Sequence, residues 1–345
     1  MAVFYLLAFV ILLFGVRVQR QGFFPDNLAI DQTNAIKGFF ILLVFISHCM
    51  LDIKKTGYGF VGCLDALGMQ IRSEFGQLVV VMFLFYSGYG VMESYAKKGR
   101  EYVKTFPKKR ILTTLLNFDI AVLVFVALDL ALGIKLGLKQ IALSLIAWES
   151  VGNSNWYIFV VLFCYFVAYV AFLAIPSNGR KAMWMALLLI LAGMVVLSFI
   201  KPSRWYNTIL CFPAGMCLSV YKDRILTFCK EHYLGVLLAT FAVFMAFHWL
   251  PLPSRNEIVY NVQGIAFALL TVLLTMKIKT GNAVLQWLGV NLFPIYIYQR
   301  IPMIAITNLA GEDFVCNYPY VFMVSCFAVT CLIVWGYKFW RIKFC

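Results

Sequence analysis

Long apolar runs, separated by short polar stretches, recur from one end of the chain to the other. A helix needs roughly 20 mostly apolar residues to cross a hydrocarbon core of about 30 Å. By this criterion the candidate spans lie near residues 2–16, 36–52, 77–95, 111–134, 156–175, 182–200, 205–221, 234–250, 259–276, 283–305 and 319–337. The pattern predicts an all-α fold, a polytopic membrane helical bundle of about 11 transmembrane helices.

The first apolar run differs from the others because it is short and is followed at once by Arg17 and Arg20. It lacks the basic start of a signal peptide. We interpret it as a retained helix with its N-terminus outside; a cleaved or an interfacial segment is the alternative. Residues 1–30 would then comprise an N-terminal transmembrane helix and a cytoplasmic hairpin, and residues 31–345 would form one membrane domain.

The Lys and Arg residues are divided unequally between the two sides that these spans create. Of the 29, 20 fall on the side of the C-terminal tail and 8 on the other side, while Arg300 lies inside a span. Cytoplasmic loops carry the excess of basic residues. The distribution therefore predicts an integral protein of the plasma membrane with its N-terminus outside and its C-terminus in the cytoplasm. Basic loops that face anionic lipid also explain the net charge of +14, so the bilayer is the expected partner and nucleic acid is not.

The composition narrows the chemistry further. Hydrophobic residues make up 63% of the chain and charged residues 13%, against roughly 25% charged in soluble domains. The ten cysteines include no Cys-x-x-Cys pair and mostly fall within spans, which argues against a metal or redox site. Cys63 and Cys316 lie in predicted outer loops, and whether they pair is left open because the sequence does not give their separation.

An ionisable residue lies deep within the second apolar run, "NAIKGFFILLVFISHCM". His48 follows Lys37 by eleven residues, which on a helix places both side chains on nearly the same face, about 16 Å apart along the axis. Ionisable residues inside spans are costly and mark functional sites; a neutral imidazole that hydrogen-bonds a neighbouring helix is the structural alternative. With Lys37 at the cytoplasmic boundary, His48 would lie near mid-membrane, and we expect both residues to face one cavity.

The third apolar run and the start of the fourth contribute small and basic residues. Ser87, Gly88 and Gly90 in "FLFYSGYGVME" would let a neighbouring helix or a ligand approach closely. The basic cluster at 108–110 precedes the fourth run. Such a cluster suits phosphate binding, and it equally suits anchoring of a helix at the lipid headgroups.

These segments together resemble the integral-membrane acyltransferase family 3, whose members O-acylate extracytoplasmic sugars with acyl-coenzyme A. The resemblance runs from about residue 31 to 337. One family motif is a basic residue followed, after a gap of ten residues, by a histidine, and Lys37 and His48 match it. Another is a helix with a Ser-Gly-aromatic sequence. The matching segments are, in order, "KGFFILLVFISH", "FLFYSGYGV", the basic residues 108–110, "NSNWYIFVVLFCYF" and "WLGVNLFPIYIYQRIPM". No single segment is strongly specific, but their order is.

The resemblance implies roles for individual residues. His48 would be the general base that removes the proton of a sugar hydroxyl. The donor, acyl-coenzyme A with acetyl as the default acyl group, would contact Lys37, Ser87, Lys108, Lys109 and Arg110. The acceptor, a glycan or a lipid-linked sugar, would contact Asn155, Trp156 and Gln299. Trp156 as an interfacial anchor is an alternative, and the acceptor's identity, a succinyl donor and homo-oligomer formation are left open.

Two features depart from the family pattern. The first span is additional to the family's ten-helix core. Gln299 stands where many members have a histidine, and because a glutamine hydrogen-bonds but does not exchange a proton near neutral pH, it would position a ligand only.

The alternative function is a transporter or flippase of a lipid-linked sugar or polysaccharide precursor. Such proteins also have many spans with buried polar groups. However, the sequence has no inverted repeat and no matching pair of Gly/Pro-broken spans in two halves, which would indicate a transporter. We therefore expect an enzyme, an acyl-coenzyme A-dependent O-acyltransferase that modifies polysaccharides of the cell envelope.

Overall fold

The computed structural model describes residues 1–249 and 257–344, and these residues are mostly α-helical. The helices are α1 (Ala2–Leu13), α2 (Ile30–Lys55), α3 (Cys63–Phe75), α4 (Leu78–Phe106), α5 (Thr113–Ala131), α6 (Leu138–Leu145), α7 (Trp156–Ala174), α8 (Gly179–Ile200), α9 (Cys211–Val220), α10 (Lys222–Glu231), α11 (Tyr233–Trp249), α12 (Glu257–Lys277), α13 (Ala283–Val290), α14 (Leu292–Tyr298), α15 (Arg300–Ala310), α16 (Glu312–Asn317) and α17 (Pro319–Tyr337). A π-helical turn, Pro107–Leu112, joins α4 to α5, and a 3-10 turn, Ser203–Trp205, precedes α9. The predicted all-α membrane bundle is confirmed.

The number of spans differs from the prediction. Six helical segments of the described residues are long and apolar enough to cross a membrane, or seven when α10 and α11, bent by 104°, count as one span. One of the six, Cys63–Ala131, includes the predicted span 77–95 and most of the predicted span 111–134. The count of eleven is therefore not confirmed. Residue 250, the end of the predicted span 234–250, lies outside the described residues, as does most of the loop after it.

Three predicted spans have a different form in the structure. Helices α1 and α9 have 12 and 10 residues, shorter than a hydrocarbon core requires. The predicted span 283–305 is three consecutive helices, α13 to α15, with breaks at Asn291 and Gln299. The division of the chain at residue 30 stays a prediction.

Glycines allow two helix pairs of the core to pack backbone to backbone. A methyl group added at Gly38 on α2 would overlap the carbonyl oxygen of Leu285 on α13, and one at Gly289 would overlap that of Asn34. Helix α4 packs on α9 in the same way, since a methyl group at Gly88 would overlap the carbonyl oxygen of Phe212. Such contact without side chains between is the usual role of small residues in membrane bundles. It fixes α2 and α4, which carry Lys37, His48 and Ser87 of the predicted site.

The segment between α1 and α2 is tied to the end of α12. Strands β1 (Arg17–Val18) and β2 (Ile278–Lys279) pair antiparallel, and the Lys279 ammonium group hydrogen-bonds Asp26. That bond holds the pKa of the Asp26 carboxyl below its ordinary value, so Asp26 is a fixed negative charge at neutral pH. The predicted cytoplasmic hairpin is thus held against the bundle through contacts that lie far apart in sequence.

Candidate active site

A cavity of about 580 Å³ opens beside the first turns of α2 and the middle of α4. We call it the basic cavity because Lys37, Lys97, Arg110 and Lys222 line it. Ser87 on α4 also lines it. The volume falls within the range of about 300–1,000 Å³ that is usual for ligand pockets.

The charges of the basic cavity are only partly neutralised. Two carboxylates line the cavity, and each pairs with one lysine. Asp26 pairs with Lys279, which lies outside the cavity, and Glu93 lies 3.5 Å from the lining residue Lys222. Glu93 also accepts a 3.0 Å hydrogen bond from Ser219. Among the described residues, no carboxylate pairs with the other three lining cations, which are Lys37, Lys97 and Arg110. The cavity therefore suits an anionic ligand with several charges.

A second cavity of about 350 Å³ shares Ser87 with the basic cavity. We call it the tyrosine cavity because Tyr157, Tyr165 and Tyr337 line it. Its wall also includes Pro294 on α14 and several apolar side chains. Both cavities are lined by Ser87, so they adjoin at this residue.

A third cavity, of about 230 Å³, lies beside the second half of α2. We call it the histidine cavity because His48 lines it; Asn155 and Trp156 at the start of α7 line it as well. His48 is partly buried, and its Nδ1 atom has no hydrogen-bond partner among the described residues. This buried nitrogen thus has its hydrogen-bonding capacity unused among the described residues.

Two aromatic rings separate His48 from the tyrosine cavity. The centroid of the Tyr296 ring lies 6.5 Å from that of His48 and 5.1 Å from that of Tyr157. Both tyrosines are buried. The helical spacing predicted that Lys37 and His48 face one cavity, and this is wrong: Lys37 lines the basic cavity and His48 lines the histidine cavity. Tyr157 and Tyr296 form the partition between the histidine cavity and the tyrosine cavity.

The structure groups most of the predicted site residues. Lys37, Ser87 and Arg110 line the basic cavity, and the predicted acceptor residues Asn155 and Trp156 share the histidine cavity with His48. The other three predicted site residues, Lys108, Lys109 and Gln299, line none of the three cavities.

Lys108, Lys109 and Gln299 lie away from these cavities. Lys108 and Lys109 are exposed on the π-helical turn and line neither the basic nor the tyrosine cavity. The turn directs neighbouring residues to different sides, so Arg110 alone of the cluster reaches the basic cavity. Gln299 is fully buried and donates a 3.2 Å hydrogen bond to the carbonyl of Tyr296, a contact with the partition. Their roles stay predictions.

Sequence reasoning missed four charged residues of the histidine cavity: Asp52, Lys55, Arg204 and Arg300. Arg300 Nη2 lies 3.5 Å from Asp52 Oδ1, although 248 positions separate the two residues. Arg300 gave a signal, since it is a basic residue inside a predicted span. Arg204 gave none, because a basic residue in a loop is common.

Among the described residues, the two predicted outer cysteines form no disulfide and the metal-binding residue types form no cluster. Cys63 and Cys316 are unpaired. Within residues 1–249 and 257–344, no group of three or more His, Cys, Asp or Glu side chains is arranged to hold a metal ion.

Comparison with known proteins identifies the family. No curated protein and no solved structure matches the chain. The acyltransferase domain family, acyltransferase family 3, matches residues 30–338, which include every helix from α2 to α17 and every residue that lines the histidine cavity. With its apolar helices and this match over most of its length, the chain is an integral membrane protein that belongs to acyltransferase family 3.

Proposed function

We propose that the protein transfers an acyl group, acetyl by default, from cytoplasmic acyl-coenzyme A to a hydroxyl of an extracytoplasmic or lipid-linked sugar. The observation that carries the proposal is the pair of cavities along α2. Lys37 lines the cavity with unpaired cations, and His48, about 16 Å further along the helix axis, lines the cavity with Asn155 and Trp156. A phosphate-bearing donor and a polyol acceptor need different surroundings, and each cavity suits one of them.

The donor occupies the basic and tyrosine cavities in this proposal. The phosphates of coenzyme A bind Lys37, Lys97 and Arg110, which no carboxylate of the described residues neutralises. The pantetheine arm then passes Ser87 into the tyrosine cavity. The thioester reaches His48 only when the rings of Tyr157 and Tyr296 rotate aside, because these rings fill the space between.

The acceptor occupies the histidine cavity from the predicted outer side. His48 takes the proton of its hydroxyl while the hydroxyl oxygen attacks the thioester carbonyl carbon. As the tetrahedral intermediate collapses, the carbon–sulfur bond breaks, and the coenzyme A sulfur leaves with the proton that His48 had accepted. The ester remains on the sugar. Histidine suits both proton transfers because an unprotonated ring nitrogen accepts the proton and the protonated ring can donate it again.

The test uses membrane vesicles that contain the full-length protein and labelled acetyl-coenzyme A at the predicted cytoplasmic face. The readouts are label in glycan and equilibrium donor binding. His48→Gln preserves hydrogen bonding but not proton exchange, so transfer should fall by at least about 10²-fold, the usual size of a lost acid–base contribution. Donor binding should remain unchanged in that variant. Lys37→Gln should instead weaken donor binding.

The matched control is His232→Gln, since His232 lies at the end of α10 and lines none of the three cavities. Its transfer rate should equal that of the wild type. Near-normal transfer by His48→Gln would refute the assignment of the base. If the protein instead binds a labelled glycan precursor and moves it across the vesicle membrane without forming an ester, the result favours a flippase.

A further inference from the structure

The histidine cavity carries more positive than negative charge. Its charged lining residues besides His48 are Lys55, Arg204, Arg300 and Asp52. Asp52 is the one carboxylate among the residues that line it, and it lies 2.5 Å from Lys55 Nζ and 3.5 Å from Arg300 Nη2. Arg204 is exposed and pairs with no carboxylate of the described residues. One carboxylate thus faces three cations, which leaves a net positive charge.

Two buried hydrogen-bond donors of the same cavity lack acceptors. Asn153 is 3% exposed, and its Oδ1 accepts hydrogen bonds from Ser150 Oγ at 3.1 Å and from the Val151 amide at 3.0 Å. Its Nδ2 atom has no acceptor among the described residues, and neither has Arg300 Nε. Buried donors without acceptors are unfavourable, so both would be satisfied by a ligand that brings acceptor oxygens.

The backbone adds to this positive field. Ser154, Asn155 and Trp156 line the cavity at the N-terminus of the 19-residue helix α7. The Asn155 side chain does not cap the helix, because its amide donates to the carbonyl of Ala147 at 3.0 Å. The N-terminal end of a long helix carries a partial positive charge and free N–H groups, which favour anions.

The segments that supply these groups are held in place by one lysine. Lys201 Nζ lies 3.9 Å from the Trp148 ring centroid and 4.4 Å from that of Trp205, and it donates a 2.9 Å hydrogen bond to the carbonyl of Trp148. Trp148 precedes Ser150, and Trp205 follows Arg204. The cation–π contacts therefore fix both edges of the cavity relative to each other.

We infer that the acceptor is an acidic glycan, with a carboxylate or phosphate group next to the hydroxyl that is acylated. This inference rests on the proposed function, because it names the substrate class of that same site. The hydroxyl and amide groups of Ser150, Ser154 and Asn155 suit a sugar, and Trp156 offers a face for its ring. A volume of about 230 Å³ is below that of pockets for drug-sized ligands, so one sugar unit enters.

The first arm of the test measures binding to the purified full-length protein in phosphatidylcholine nanodiscs. The probes are tetragalacturonate and its carboxyl-reduced neutral counterpart, with mannose 6-phosphate and mannose as the phosphate pair. At least one acidic member should bind about tenfold more tightly than its neutral partner, and salt should reduce the difference. Equal or tighter binding of the neutral member in both pairs would overturn the inference.

Variants locate the effect. Arg204→Gln should weaken binding of the acidic probe about 3- to 5-fold, the size expected for one exposed charge pair, and should leave the neutral probe unaffected. Lys135→Gln is the matched control, since Lys135 is exposed in the same predicted outer side but does not line the cavity. If phosphatidylglycerol in the nanodisc displaces the acidic probe from wild type but not from Arg204→Gln, the anion is a lipid headgroup and the inference fails.

The second arm measures transfer of labelled acetyl groups to acidic and neutral glycan fractions. Label only in the neutral fraction would refute the acidic acceptor while the proposed function stands. Acidic preference in binding with no label in either fraction would refute the proposed function while the anionic site stands.

Discussion

Replacement of Gly88 by alanine should separate α4 from α9. The added methyl group would overlap the carbonyl oxygen of Phe212 and lie 2.8 Å from its carbonyl carbon. Carbon atoms in contact prefer about 3.5–4.0 Å, so the two backbones must move apart by roughly 0.7 Å or more. The neighbouring atoms are backbone, which cannot rotate away as a side chain can.

The energetic cost follows from two opposing effects. Overpacking of a core costs about 1–3 kcal/mol, and overlap between two backbones belongs at the upper end of that range. Alanine gains about 1 kcal/mol over glycine in a helix. The net loss for Gly88→Ala is therefore about 2 kcal/mol. Gly90→Ala is the matched control on the same helix, because nothing lies within 4 Å of the added methyl group, so it should gain up to about 1 kcal/mol.

The assay is thermal unfolding of the purified protein in detergent, followed by intrinsic fluorescence. A change of 1 kcal/mol shifts Tm by roughly 2–4 °C in chains of 150–250 residues and by less in longer ones. The two variants should therefore differ by roughly 5 °C, with Gly88→Ala below the wild type. If Gly88→Ala unfolds at or above the temperature of Gly90→Ala, the close packing of α4 on α9 is not what stabilises this part of the bundle.

Two further predictions concern the donor site and the topology. Arg110→Gln should weaken acyl-coenzyme A binding about tenfold, the effect of losing roughly 1.4 kcal/mol. Lys108→Gln combined with Lys109→Gln should change the affinity less than about threefold, since exposed charges contribute little. Equal losses of affinity in an equilibrium binding assay would contradict the assignment of the basic cavity. In a Cys316→Ser background, a membrane-impermeant maleimide applied from outside should label the exposed native Cys63. It should not label Lys98→Cys when both Cys63 and Cys316 are replaced by serine, and the opposite result would reverse the predicted orientation.

The helices were predictable from the sequence because a long apolar run indicates a segment that is buried in lipid or in the bundle, where a helix satisfies the backbone hydrogen bonds. The run at 205–221 shows where this reasoning fails. Residues Asn207 and Thr208 are buried in a non-helical segment before α9, and hydropathy does not distinguish a buried turn from a helix. The breaks at Asn291 and Gln299 were missed for the same reason, since the run 283–305 stays apolar through both.

The candidate site was predictable where one helix carries the spacing. Lys37 and His48 lie on one face of α2, and each lines a cavity. The partners that complete the histidine cavity come from other elements: Arg300 begins α15, and Arg204 lies in the turn before α9. Their proximity to His48 depends on how the helices pack, and a single sequence does not contain that information.

The partition of Tyr157 and Tyr296 has a consequence for the membrane as an insulator. The histidine cavity and the tyrosine cavity contain charged and polar groups that suit water, and the two rings lie between these cavities. If both cavities fill with water, the membrane voltage falls mainly across the layer of these two rings, where moving one charge through 100 mV corresponds to about 2.3 kcal/mol. Under the proposed function, the rings that admit an acyl group would therefore also have to keep ions from crossing.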